Sequence, residues 1–260
     1  MAARKFKRLF FDIETSPNLV YSWRIGNKIH IDYENIVEER KIICVCWKWD
    51  GTRAVESLMW DQAHDDKSLL EQFIPILNTA DESIAHNGDR FDLPWLRTRC
   101  LIHRLPCFPY YTSTDTLKLA RRGYYFNCAR LDYLTKLLCG HGKIKTTFDL
   151  WKECLASNSK ALAKMVRYCK TDVRRLAELY HLFTQYAYPT TNHAVLAGGN
   201  KWECPHCTAT AKFIYLVKTR VTPLGTQRRQ MQCQKCGRYF TIANNTYGHL
   251  LKARLGLEAL

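Results

Sequence analysis

Apolar residues recur along this chain with two different periods. The segments 5–12 (Lys-Phe-Lys-Arg-Leu-Phe-Phe-Asp), 41–49 and 53–59 read as strands, the first buried and ending on an acid. Asp50-Gly51, between the second and third, is a hairpin turn signal. From residue 67 the period lengthens: Leu69, Leu70, Phe73, Ile74 and Leu77 share one face of a helix over 67–78. A short strand at 83–86 leads into a helix at about 91–102, and another near 111–114 precedes a helix from Asp115. The stretch 129–138 is helical, and 160–186 is the longest helical pattern, with Leu162, Met165, Cys169, Val173, Leu176 and Tyr180 in register. A meander of strands followed by alternating strands and helices predicts an α/β domain with a mixed sheet.

The pattern breaks at 187–202, where Pro189, Asn192 and Gly198-Gly199-Asn200 read as a linker. The expected organisation is a domain over 1–188, a linker over 189–200 and a second module over 201–260. A length of 260 residues with 47% hydrophobic content supports one full core and a small accessory domain. The formal net charge is +15, and 201–260 alone carries ten Lys and Arg against two acids. Such an excess attracts polyanions, of which nucleic acid is the commonest. Charge for solubility is the alternative; an anionic membrane is a weaker one, because no basic amphipathic helix is read at either end. No apolar run is long enough for a signal peptide or a membrane span, so the expectation is a cytoplasmic chain with its twelve cysteines reduced. Eight of them are scattered and read mostly as small core residues.

Three short segments carry candidate chemistry. In Phe11-Asp12-Ile13-Glu14-Thr15, Asp12 and Glu14 lie two apart on a strand and project from one face, at the end of an apolar run. Carboxylates so close repel each other unless a cation lies between them, and hard cations such as Mg²⁺ take oxygen ligands of this kind. In Asn87-Gly88-Asp89-Arg90-Phe91-Asp92, a strand, polar turn and helix put Asp92 in the first helical turn. In Tyr168-Cys169-Lys170-Thr171-Asp172, the i and i+4 positions set a hydroxyl beside a carboxylate on one helix face. Each segment taken alone also has an ordinary reading: solvated acids at a strand end, an acid suited to a helix N-terminus, a plain helix face.

Taken in order, Asp-x-Glu, Asn-x-x-x-Phe-Asp and Tyr-x-x-x-Asp resemble the three motifs of the DEDD exonucleases, enzymes of RNase H-like fold that include polymerase proofreading domains and RNase D-type enzymes. Tyr168 resembles the DEDDy branch; Arg167 stands where the DEDDh branch has histidine. The resemblance covers roughly residues 5–186, and the wording around Asp12 and His86-Asn87 is similar to stand-alone RNase H-like exonucleases of phages and bacteria. It implies two catalytic Mg²⁺ or Mn²⁺ ions about 3.5–4 Å apart, one at the attacking and one at the leaving oxygen. Asp12 would bridge them, Glu14 and Asp172 would bind the ion that activates water, and Asp92 would hold the other. Tyr168 would orient the nucleophile, and Thr15 and Asn87 would contact the terminal nucleotide. Among rival acids, Asp115 reads as a helix cap and Asp89 as the loop acid easiest to mistake for Asp92; Asp132 is a third.

The remaining cysteines form Cys204-Pro-His-Cys207 and Cys233-Gln-Lys-Cys236-Gly237, two C-x-x-C pairs that supply the four thiolates of a closed, structural Zn²⁺ site. His206 inside the first pair is expected to be an exposed loop histidine rather than a ligand. Strand character at 212–221 and 228–232 makes the module resemble a zinc ribbon, its second half similar to those of some transposases. Eight of its Lys and Arg face one acid, Glu203, so phosphate contact is the natural use, with packing or a protein partner as the alternative. Arg121-Arg122-Gly123-Tyr124-Tyr125-Phe126 interleaves cations and aromatics as single-strand binding does, or ends a helix over core aromatics.

The expected function is therefore a two-metal 3′→5′ exonuclease of RNase H-like α/β fold with a β-rich zinc ribbon, acting on DNA in preference to RNA and on no membrane. An RNase H-like nucleic-acid adaptor with little cleavage, or a structure-selective endonuclease using the same site, are the competing readings. Protein partners are not readable from the sequence.

Overall fold

The computed structural model describes residues 6–26, 28–142, 144–187, 189 and 191–257. The first five residues, including Lys5 of the expected opening strand, lie outside them, as do Tyr188 and Thr190 at the expected domain boundary. Among the described residues two compact units are present, Lys7–Tyr180 and the chain from His181 to Leu257 together with Phe6.

The larger unit opens with β1 (Arg8–Thr15), then β2 (Leu19–Val20), β3 (Ile36–Glu38), β4 (Ile42–Trp49) and β5 (Glu56–Met59). It continues through α1 (Lys67–Asn78), β6 (Glu82–Ala85), α2 (Asp92–Ile102), β7 (Ser113–Asp115), α3 (Thr116–Gly123), α4 (Leu131–Cys139), α5 (Asp149–Leu155) and most of α6 (Ser159–Tyr186). Five strands form one sheet in the order β5-β4-β1-β6-β7. β1 runs antiparallel to β4 and parallel to β6, and β6 runs parallel to β7. This is the mixed α/β sheet expected from the order of strands and helices. β2 and β3 pair separately as a small hairpin that the apolar pattern did not disclose, because its few paired residues are largely exposed.

Alternation along β1 divides the core in two. Leu9, Phe11 and Ile13 meet the apolar faces of α1 and α2, including Leu70, Phe73 and Leu96. Phe10 points the other way, against α5 and α6 residues such as Cys154, Met165, Val173 and Tyr180. The helical stripe expected over 160–186 is the buried face of α6, and Leu69, Leu70, Phe73, Ile74 and Leu77 are the buried residues of α1. At 25 cal/mol per Å², each such fully buried Leu or Phe contributes roughly 1.5–3 kcal/mol, so the sheet is clamped from both faces.

One polar knot lies inside this core. Asp66, fully buried, accepts from Arg99 Nε and Nη2, both at 2.8 Å, and from the Ile42 amide at 2.8 Å, with His103 Nε2 2.7 Å away. Burial alone works against the Asp66 charge, but these hydrogen bonds outweigh it and hold the carboxyl below its ordinary value.

In the smaller unit, β8 (Ile214–Val221), β9 (Gln227–Cys233) and β10 (Tyr239–Ala243) form an antiparallel sheet in the order β10-β9-β8, preceded by α7 (His193–Leu196) and followed by α8 (Asn244–Arg254). Its core gathers Trp202, Ile214, Met231, Phe240, Ile242 and Leu250. The stretch read as a linker is not plain spacer: α7 lies within it, capped by the Asn192 side chain, which accepts from the Ala194 and Val195 amides. Ala194 and Ala197 are buried there, a contribution that small residues do not advertise in an apolar pattern.

Candidate functional site

β1 delivers two of the acids. Asp12 and Glu14 stand opposite Cys46 and Cys44 of β4, and directly opposed residues share a sheet face, here the face covered by α6. From α6 comes Asp172, 1% exposed. One carboxylate oxygen from each of Asp12, Glu14 and Asp172 lies within 4.8 Å of the others. Cys169, one turn before Asp172 and fully buried, donates its thiol to the Asp12 carbonyl at 3.4 Å and to Asp12 Oδ2 at 3.7 Å. Burial and the neighbouring Cys44 and Cys46 thiols hold Cys169 well above the ordinary thiol value, so it is the neutral donor.

Asp92 arrives differently. It is the first residue of α2 and 1% exposed, and its Oδ1 accepts the Ile13 amide at 3.1 Å. The loop before it is tight. Gly88 packs so closely on the Ala85 methyl that a Cβ there would lie 2.4 Å from Ala85 Cβ, and Asn87 takes a left-handed φ of 70°. Asp115 braces this turn: it caps α3 through the Leu117 and Lys118 amides and also accepts the Asn87 amide at 2.9 Å. Tyr168 packs edge-on to Trp151 of α5 at 6.4 Å. Thr15 sits at a register irregularity where β1 leaves β4.

The expected rivals stand elsewhere. Asp89 bonds Lys118 Nζ at 2.6 Å and accepts from Ser113, and Asp132 pairs with Lys136 one turn along α4. Asp115 is the helix cap expected of it. The sequence reading missed Cys169 as a neighbour of Asp12, since a lone apolar-face cysteine carries no distinguishing signal. It also missed that Lys118 lies one helical turn before Arg121 and Arg122, a spacing that would have revealed a basic stripe.

In the smaller unit the four sulfurs of Cys204, Cys207, Cys233 and Cys236 lie within 4.8 Å of one another. The Cys204–Cys236 and Cys207–Cys233 sulfur separations are 3.6 and 3.7 Å. Four thiolates at about 2.3 Å from a tetrahedral Zn²⁺ stand about 3.8 Å apart, and these two separations suit that ion. Each knuckle closes on itself, with the Thr208 amide donating to the Cys204 carbonyl and the Gly237 amide to the Cys233 carbonyl, Gly237 at a φ of 74°. His206 is corrected: it is 5% exposed, not an exposed loop residue, and it stands outside the four-sulfur set. The turn that brings the two cysteines together tucks the intervening side chain inward.

The acidic site can hold a hard divalent cation: its donors are all carboxylate oxygens, and three that converge without a cation repel one another. No helix among the described residues is long and apolar enough to cross a membrane.

Comparison with known proteins places this geometry in context. A family model described as RNase_H superfamily matches residues 9–184. A family B DNA polymerase from the hyperthermophilic archaeon Pyrobaculum calidifontis is similar in structure, with a TM-score of 0.54 and 15% sequence identity over 76% of this chain. The chain spans 28% of that polymerase's length, and at this identity the likeness speaks for the fold alone. No curated protein matches the sequence.

Proposed function

Because the chain belongs to the RNase_H superfamily, we propose that its carboxylate site hydrolyses phosphodiester bonds at the 3′ end of a nucleic acid, releasing nucleotides in the 3′→5′ direction. The observation that carries this reading is the convergence of Asp12, Glu14 and Asp172, with Asp92 fastened to the strand between the first two. Mg²⁺ or Mn²⁺ held by these four residues would lower the pKa of a bound water and stabilise charge on the oxygens whose bonds to phosphorus form and break. The residues do the rest. With cations bound, Asp12 would serve both of them, Glu14 and Asp172 would hold the one that activates water, and Asp92 would hold the other. Tyr168 directs its hydroxyl to the attacking water, as in the DEDDy branch. Thr15 and Asn87 contact the terminal nucleotide and so fix which bond is presented.

Cys204, Cys207, Cys233 and Cys236 hold one Zn²⁺ as a structural ribbon, and the basic strands it carries favour nucleic acid as the partner. DNA is preferred to RNA in this reading on the transposase-like ribbon alone.

The test is cleavage of 5′-labelled single-stranded DNA and RNA of one sequence, with Mg²⁺, Mn²⁺ or chelator, beside Asp12→Ala. A metal-dependent ladder shortening from the 3′ end, absent in the variant, is the expected result. Internal fragments would indicate an endonuclease, and tight binding without cleavage would leave the adaptor reading in place.

A further inference from the structure

At the carboxyl ends of the parallel strands β6 and β7, a cavity of about 420 Å³ opens between the Asn87 turn and α3. Crevices at that edge of an α/β sheet are where ligands bind. Four cations line it: Arg90, Lys118, Arg121 and Arg122. Lys118 is already engaged with Asp89. Arg90, Arg121 and Arg122 are exposed, and none of the three has a side-chain hydrogen bond or ion pair among the described residues. Asp115 also lines the cavity, but its oxygens are taken by backbone amides. Counting Asp89 and Asp115, the wall keeps an excess of two positive charges.

Unpaired guanidinium groups converging on one cavity repel each other until an anion enters, and their planar donor fork matches phosphate oxygens. The cavity shares Asn87 with the turn that delivers Asp92 five residues later, so it adjoins the loop that carries one of the candidate cation ligands. We propose that this cavity grips the backbone phosphates of a single nucleic-acid strand leading to the carboxylates, with Arg90, Arg121 and Arg122 as the phosphate contacts. The strand's destination rests on the function proposed above, whereas the grip itself is measurable without any cleavage.

The experiment is fluorescence anisotropy of a labelled dT20 strand with the full chain, without added divalent cation, between 50 and 200 mM NaCl. Arg121→Ala with Arg122→Ala is compared with Lys160→Ala with Lys164→Ala, an equal loss of exposed charge elsewhere, and with Arg90→Ala alone. The expected result is a roughly tenfold or greater rise in Kd at 50 mM for the arginine pair, a flattening of the log Kd against log salt slope by about 1.4, and little change for the lysine pair. Melting temperatures that stay at the wild-type value exclude loss of folding. An arginine pair that leaves Kd and slope unchanged, or a lysine pair that lowers affinity equally, overturns the proposal. Displacement of dT20 by equimolar dTMP also overturns it, because the cavity would then be a mononucleotide site. If the wild-type chain cleaves nothing yet the arginine pair still loses binding, the grip stands and only the hydrolytic reading falls.

Discussion

The Ile13 amide donates to Asp92 Oδ1 beyond the last rung that joins β1 to β6, which is Phe10 opposite Ile84. Past that rung the two parallel strands part, and a strand amide that would otherwise bond to β6 is taken by a side chain. Asp92 is thus both a candidate cation ligand and the closure of an open sheet edge. Its two roles separate by substitution. Asp92→Asn keeps an oxygen for the Ile13 amide, so urea unfolding shifts by less than ~1 kcal/mol while cleavage disappears. Asp92→Ala leaves the buried amide unmatched and costs about 1–3 kcal/mol as well. Equal stability in the two variants would deny the amide contact its structural part.

Tyr168→Phe keeps the ring against Trp151 and removes only the hydroxyl. The expected result is a fall in kcat of roughly 100-fold, the scale of a misplaced reacting group, with KM within twofold of wild type. An unchanged kcat would remove Tyr168 from the water's positioning.

Much of the acidic site was legible because each motif obeys the period of its own element. Asp12 and Glu14 share a face by the two-residue repeat of β1, and Tyr168 and Asp172 lie one turn apart on α6, as read. What joins the three segments was not legible. Nothing local announces that Asp92 seeks the Ile13 amide 79 residues away. The same holds for the Asp66–Arg99 pair, 33 residues apart, which the pattern of apolar positions passes over. Polar residues that complete each other across a core leave no periodic trace. α7 and the burial of His206 escaped for a related cause: short turns bury side chains by local geometry, and small or polar residues do not mark it.

Asp66 makes stability depend on acid. Its folded carboxyl value lies below the unfolded value of about 3.9, so its contribution is complete above that pH and is lost as pH falls through the folded value. Asp66→Asn strands Arg99, itself 5% exposed, and is expected to cost about 3–5 kcal/mol at pH 7. Chemical denaturation from pH 7 down to about 2 should show the gap between wild type and variant narrowing below about pH 4. A gap that persists at the acid end would mean the carboxylate charge is not what holds Arg99 and His103.

Zinc content gives a separate check on the smaller unit. Atomic absorption should find one zinc per chain, falling to near none in Cys233→Ser. The same variant should lose the cooperative unfolding of that unit, since a four-thiolate site contributes folding energy directly. Retention of zinc after loss of one cysteine would point to a ligand outside the four.

β1 is also the central strand of its five-stranded sheet, with a neighbour on each side. Amide exchange proceeds through local opening, and inner strands open last, close to global unfolding. Two of the acids therefore ride on an inner strand of the ladder, whereas Asn87 lies in a turn outside the sheet whose amide is held by the Asp115 side chain. Deuterium uptake in this protein should accordingly be graded, with strand amides near Asp12 protected for hours while those at Gly88–Arg90 exchange early, and with strand binding slowing the second group alone.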